Sequence, residues 1–394
     1  MRKAVGVVGL LAIAPAALAL SMTDFAIFAG NETRLGANVY VGGGPVGSNN
    51  KITVGNYDDI IFSLMGGGVL FGGANLDING NIIFNGNVNI GNYGNVEGNI
   101  DSGGNVDIGA NALIGGNITA SGKVELGNYT QVNGNILAGG NFKANSNVLV
   151  QGDVGTNGSA TLGNYSHVLG HVTHQGPLNL AATASVGSES TGSVTVVPQT
   201  FSPVTIADPS VFTAGGANIT KGNYQTTTLA PGTYGTISLG SNNSLYLSSG
   251  TYYFDALSAG NYLDLYLTFT GDEDILIYVV GDFQIGSNLD VFLTGADASD
   301  IYLETHRRFI VGNYGQWYGT VFAPYDRIEF GSTAIITGAL YSTTLVDVGN
   351  YSTLNFVLAE HLGGGSGGGY IPEPATIALL GLGAAGLLLR RWRR

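Results

Sequence analysis

The chain has 394 residues, 64 of them Gly and none Cys, and only 10 % carry charge, against about 25 % in an ordinary globular domain. Its formal charge of −13 disfavours nucleic acid and anionic membrane surfaces as partners. Without Cys there are no disulfide staples, and the compartment has to be read from the chain ends.

The N-terminus reads as a secretory signal over residues 1–19. Met1-Arg2-Lys3 supplies a positive start, Ala4 to Leu18 an apolar core, and Ala17 and Ala19 a small-x-small cleavage site. The mature chain then starts at Leu20. Residues 20–49 alternate like strands around Phe25 to Gly30 and Ala37 to Gly42, and they are expected to cap the open end of the body that follows.

Residues 50–193 carry the dominant pattern. Gly-Asn-Tyr begins at Gly55, Gly91, Gly127 and Gly163, three gaps of 36 residues. Halving that unit aligns an 18-residue repeat with apolar columns: Val88, Val106, Val124 and Phe142; Ile90, Ile108, Leu126 and Ala144; Val96, Ile114, Val132 and Val150; Ile100, Ile118, Ile136 and Val154. Spacings of two, four and six residues suit short extended segments and not a helix of period 3.6. Gly and Asn between the columns serve corners that need positive φ. The predicted fold is all-β, a β-solenoid (β-helix) with 18-residue coils, expected to be right-handed. At about 4.8 Å per coil, eight coils make a rod of roughly 38 Å.

Position eight alternates Tyr57, Asn75, Tyr93, Asn111, Tyr129, Asn147 and Tyr165, so one edge should carry Tyr57, Tyr93, Tyr129 and Tyr165 roughly 9.6 Å apart. Packing is the first expectation, each ring covering the groove above a small residue on the next coil. The alternative is a row of platforms at about two sugar units, a surface for exopolysaccharide.

Residues 194–219, with Pro198, Pro203 and Pro209, read as an irregular linker. Residues 220–360 form a second, less regular β-solenoid in which Gly-Asn-Tyr returns at Gly222, Gly260, Gly312 and Gly349. A Gly-rich linker follows at 361–370. Residues 371–394 combine Pro372-Glu373-Pro374, an apolar run from Ala375 to Leu389 that reads as a short transmembrane helix, and the basic anchor Arg390, Arg391, Arg393 and Arg394. Removing both end segments takes six of the 14 basic residues and one of the 27 acidic ones, leaving a mature body near −18.

That tripartite C-terminus resembles the PEP-CTERM sorting signal. The resemblance implies export in a Gram-negative bacterium that makes exopolysaccharide, membrane attachment through the C-terminal helix before processing, and processing by an exosortase near Pro372 to Pro374. The final location is then the envelope surface or the extracellular matrix. The stretch Gly319-Thr-Val-Phe-Ala-Pro with Ile336-Thr-Gly-Ala-Leu-Tyr resembles ice-binding-like and choice-of-anchor surface β-solenoids over about residues 220–358. The first half more loosely resembles polymer-forming bactofilins.

Chemistry-bearing clusters are few. Asp272-Glu273-Asp274, with Asp297 and Asp300, could hold Ca²⁺, but no calcium-loop motif is present and solvated turns are the expectation. His167, His171 and His174 fall at coil positions ten, fourteen and seventeen, on different sides, so no shared metal site is expected. Thr226-Thr227-Thr228 and Thr343-Thr344 are isolated and do not form the in-register arrays of an ice-binding surface. Neither a Gly-x-Ser-x-Gly elbow nor a phosphate loop occurs. The expected function is a non-enzymatic structural or adhesive surface protein, without cofactor or catalytic residues. A carbohydrate-active enzyme would require Asp272, Glu273, Asp297 or Arg307 to gather in one pocket, and a third reading is a self-assembling rod without ligand.

Overall fold

The computed structural model describes residues 20–271, 273–295 and 297–362. The signal segment, the Gly-rich linker beyond residue 362 and the 371–394 segment lie outside them, as does Asp272. The described chain is a β-solenoid of about 18 turns in which the paired strands are parallel.

One coil shows why the repeat folds this way. β1 (Ile100–Ser102), β2 (Val106–Ile108) and β3 (Leu113–Ile114) form three faces joined by tight corners. Ile100, Val106 and Ile114 point inward and are fully buried. Each sits in register on its equivalent one repeat away: Ile82, Ile100 and Ile118 on the first face, Val88, Val106 and Val124 on the second, Val96, Ile114 and Val132 on the third. Each such side chain contributes about 1.5–3 kcal/mol of burial, which is why apolar residues recur where they do.

The Gly-Asn-Tyr corner between the second and third faces has a separate reason for each residue. A Cβ on Gly127 would lie 2.5 Å from the Gly109 carbonyl carbon, so the glycine is required by the approach of the preceding coil. The asparagine is a rung: the Ala74 N–H donates to Asn56 Oδ1 (2.7 Å), Ala110 to Asn92 (2.8 Å) and Ser146 to Asn128 (2.9 Å). The third residue turns the chain through the left-handed region, with φ of +61° at Tyr93 and +60° at Asn111. A second asparagine column, Asn81, Asn99 and Asn117, caps another corner in the same manner.

Residues 20–49 do not cap an end. β4 (Ile27–Ala29) pairs with Val46–Ser48 on one side and Leu340–Ser342 on the other. β5 (Glu32–Leu35) lies between Lys51–Val54 and Leu345–Val348, and β6 (Tyr40–Gly42) between Asp59–Ile60 and Thr353–Phe356. The first coil in sequence is therefore an interior coil, because the last coil of the second half would otherwise present unpaired strands, and the first coil satisfies them. The two halves make one continuous rod with a noncovalent joint inside it.

Residues 194–218 return along the outside of the first face as a strap. Asn49, Asn85 and Asn157 each grip it with a two-bond amide clasp: Asn85 Nδ2 donates to Phe201 O (2.7 Å) and the Phe201 N–H to Asn85 Oδ1 (2.9 Å), with the same pattern at Val204 and Val194. Beneath it Phe25, Phe28, Met65, Ile83, Phe201 and Val204 form a second core. This explains why Ile27–Ala29 and Ile82–Phe84 are buried along their whole length. The strap ends over the second half, where the Ser210 N–H donates to buried Glu304 (2.8 Å) and Phe212 packs on His306 with ring centres 4.3 Å apart.

The second half keeps the same columns, Ile219, Ile237, Leu257, Phe283, Phe309, Ile328 and Val346, but lengthens some coils. Its third face includes a separate four-stranded sheet from Thr226–Leu229 to Leu289–Thr294. The wider interior is filled by aromatics, with Phe283 and Phe309 stacked at 4.9 Å and Trp317 edge-on to both.

Candidate functional site

The left-handed corner position forms one continuous edge. Backbone hydrogen bonds link it from coil to coil in the order Tyr224, Asn242, Tyr262, Asn288, Tyr314, Thr333, Tyr351, Asn38, Tyr57, Asn75, Tyr93, Asn111, Tyr129, Asn147, Tyr165. Tyrosine thus alternates with a small residue along the whole rod. The alternation passes without a break through the internal joint, where the Tyr351 N–H donates to Ala37 O (2.8 Å) and Asn38 to Asn56 O (2.8 Å). Each Gly-Asn-Tyr gap in the second half still spans two coils, some of them lengthened. The row holds eight tyrosines and extends roughly 67 Å at about 4.8 Å per coil.

These rings are 56–77 % exposed, which departs from the packing expectation. All eight have φ between +58° and +63°. For a bulky residue this conformation costs about 1–2 kcal/mol, whereas Asn tolerates it better. The alternate coils show that Asn fits the corner, so tyrosine is retained at eight places at a conformational cost and with most of its ring in water.

The residue after the corner has its own alternation, which sequence columns did not expose. Where Tyr holds the corner, a polar side chain often follows and serves a backbone group of the preceding coil. The Val39 N–H donates to Asp58 Oδ1 (2.8 Å), Val148 to Ser166 Oγ (3.1 Å) and Ala334 to Ser352 Oγ (3.0 Å). Leu76, Ala112 and Val148 follow asparagine corners and point into the core. The 36-residue period therefore has a buried component as well as an exposed one. Burial raises the Asp58 carboxyl to about 7.

Beside Tyr93 and Tyr129 runs a shallow groove lined by Asn89, Asn92, Asp107, Ile108, Glu125 and Asn128. Lys123 and Lys143 bridge its carboxylates, Lys123 to Asp107 at 2.8 Å and Lys143 to Glu125 at 2.6 Å. Amide and carboxylate groups next to exposed rings offer hydrogen bonds and apolar faces together.

The other candidate groups lie elsewhere. Asp297 and Asp300 cap the short turn Ala298–Asp300: Asp297 Oδ1 accepts from the Ser299 N–H (2.7 Å), and the Asp297 N–H donates to Asp300 Oδ2 (2.9 Å). Glu273 precedes Ile275–Val279 and Asp297 precedes the neighbouring strand Ile301–Thr305, whereas Arg307 follows that strand at its opposite end. His167, His171 and His174 share one strand, since the corner between two faces opens in this coil. His167 pairs with Ser185 and His171 with Ser188 and Ser190, each at 2.7 Å, while His174 contacts Gly176 O.

Residues 371–394 match the PEP-CTERM protein-sorting motif. The motif marks an exported protein, held at the cell envelope before processing by an exosortase. The matched segment contains Pro372, Glu373, Pro374 and the four terminal arginines. Among curated proteins, none matches the sequence significantly. The chain is similar to the crystal structure of an ice binding protein from an Antarctic bacterium of the Flavobacteriaceae, at 14 % identity and TM-score 0.24, over 86 % of this chain and 99 % of that one. It is also similar to a possible adhesin C-terminal domain from Caldicellulosiruptor kronotskyensis, at 11 % identity and TM-score 0.22, over 86 % and 93 %.

Proposed function

We propose that this exported protein is a non-catalytic surface or matrix component whose tyrosine edge binds an extended exopolysaccharide. The observation that carries the proposal is the strained, exposed row: eight tyrosines held at positive φ where asparagine fits, at a spacing of about two hexose units. A flat ring gives a sugar's apolar face a platform, and the amide groups between platforms supply hydrogen bonds to its hydroxyls. Many weak contacts along one rigid edge add through effective concentration, so an extended chain is held more tightly than a short oligosaccharide. The mature body, near −18, favours a neutral or cationic polymer over a polyanion.

The test is co-sedimentation of the mature chain with exopolysaccharide from the producing organism, beside a variant in which all eight tyrosines become Asn. Asparagine suits the left-handed corner, so the variant keeps the fold and loses only the rings. Loss of co-sedimentation supports the assignment. Equal co-sedimentation of the two proteins overturns it.

A further inference from the structure

Both ends of the described rod are open. At one end β7 (Leu178–Leu180) and β8 (Ser185–Thr191) have strand partners on one side only, and at the other so do β9 (Ile219–Lys221) and β10 (Thr226–Leu229). Leu178, Ala184 and Val186 at the first end and Ile219 at the second belong to core columns but are only partly covered. The described termini, near Leu20 and Leu362, pack in the second core cluster at mid-rod, away from both ends. Parallel strands left without a partner present rows of N–H and C=O groups that favour a matching edge.

We propose that copies of this chain stack end to end, the 178–191 coil of one copy against the 219–229 coil of the next. Three observations commit the open coils to a second copy. First, the rod already contains such a joint. The coil at 27–42 sits on the coil at 340–356 with no covalent link between them, through three in-register parallel pairings. An end-to-end contact repeats this arrangement with the same strand direction.

The second observation is a glycine without a local reason. At interior corners a Cβ would strike the preceding coil, and across the internal joint a Cβ on Gly36 would lie 2.4 Å from Asn350 Oδ1. Gly222 occupies the same corner position at the open end and has nothing within 4 Å. A neighbouring copy supplies the missing coil, placing Ala181 where Gly349 stands relative to Gly36.

The third observation is phase. The corner row begins with Tyr224 and ends beyond Tyr165 at Thr183, whose Oγ1 accepts from the Tyr165 N–H (2.8 Å). Tyr224 seated on Thr183 continues the alternation of tyrosine and small residue into the next copy. An arrangement that began and ended on tyrosine would break it.

The contact is weaker than the internal joint for two reasons. On the first face the incoming strap already lies against the end strand, the Gly215 N–H donating to Tyr234 O, so the contact is made by the second and third faces. Lys221 occupies an inward column position and faces Leu180 of the neighbour, a device that limits edge pairing. Assembly is therefore concentration-dependent and reversible.

The test is sedimentation velocity and electron microscopy of the mature chain over a concentration series, with the variants Gly222→Ala and Lys221→Leu. The native chain is expected to form straight particles in multiples of roughly 86 Å, one rod of about 18 turns each. Lys221→Leu should lower the concentration of half-assembly about tenfold or more. Gly222→Ala, with open space around its new methyl, should melt no lower than single rods of the native chain yet remain single rods. Single rods for both the native chain and Lys221→Leu at every concentration overturn the proposal. So does assembly of Gly222→Ala at the native concentration.

Discussion

Alanine at the corner glycine should have opposite effects at two equivalent positions, Gly109 of a Gly-Ala-Asn corner and Gly222 of a Gly-Asn-Tyr corner. At Gly109 the new Cβ would lie 2.5 Å from the Gly91 carbonyl carbon and 2.6 Å from the Asn92 nitrogen, both backbone atoms with no rotamer to move. Ordinary contact requires roughly 1 Å more, so two coils must separate locally. Overpacking of this kind costs about 1–3 kcal/mol. The separation also weakens the bonds from Gly109 N–H to Ile90 O and from Ala110 N–H to Asn92 Oδ1, both 2.8 Å and each contributing about 0.5–1.5 kcal/mol. Against this stands a gain of about 0.4–1 kcal/mol from the stiffer unfolded chain, leaving a net loss of about 2–4 kcal/mol. At Gly222 only the gain remains, because no atom lies within 4 Å. Urea denaturation at a concentration low enough to keep single rods should therefore separate the two variants by about 2.5–5 kcal/mol. Equal midpoints would refute the assignment of the corner glycine to coil-on-coil approach.

Other perturbations probe the buried carboxyls and the strap. Burial raises Asp58 to about 7 and Asp101 to about 6, so both bind a proton more tightly folded than unfolded. Their contribution to stability is full below about pH 4 and lost as pH rises through 6 and 7, and Asp58→Asn should flatten a melting-temperature profile between pH 5 and 8. Asp282, held low by Arg308, acts in the opposite sense, and its contribution is lost only as pH falls below the usual carboxylate range. Asn85→Ala removes both bonds of a strap clasp and should cost about 1–3 kcal/mol. Its clearest readout is faster amide exchange at Phe201 and faster proteolysis within residues 194–218. If exchange at Phe201 is unchanged, the clasp does not hold the strap down.

The sequence by itself determined the local unit. Val106, Ile114 and Ile118 recur at even spacings because an inward side chain on a short strand has one column to join, and the column is visible as a period. Gly-Asn-Tyr was legible as a corner for the same reason, each residue answering a constraint within one coil or its immediate neighbour. The sorting motif was legible because hydropathy and terminal charge are properties of a linear segment. The sequence could not place the first coil. Residues 27–42 look like any other coil, and only the unpaired edge at 340–356, more than 300 residues away, makes them an interior layer and not a cap. The exposure of the tyrosines and the eight-fold extent of their row belong to the same class. Four lie in one half and four in the other, and they become one edge only when the noncovalent joint sets Tyr351, Asn38 and Tyr57 in consecutive coils. A repeat records what each coil asks of the next, whereas the order of coils along the rod is settled by which open edges find each other.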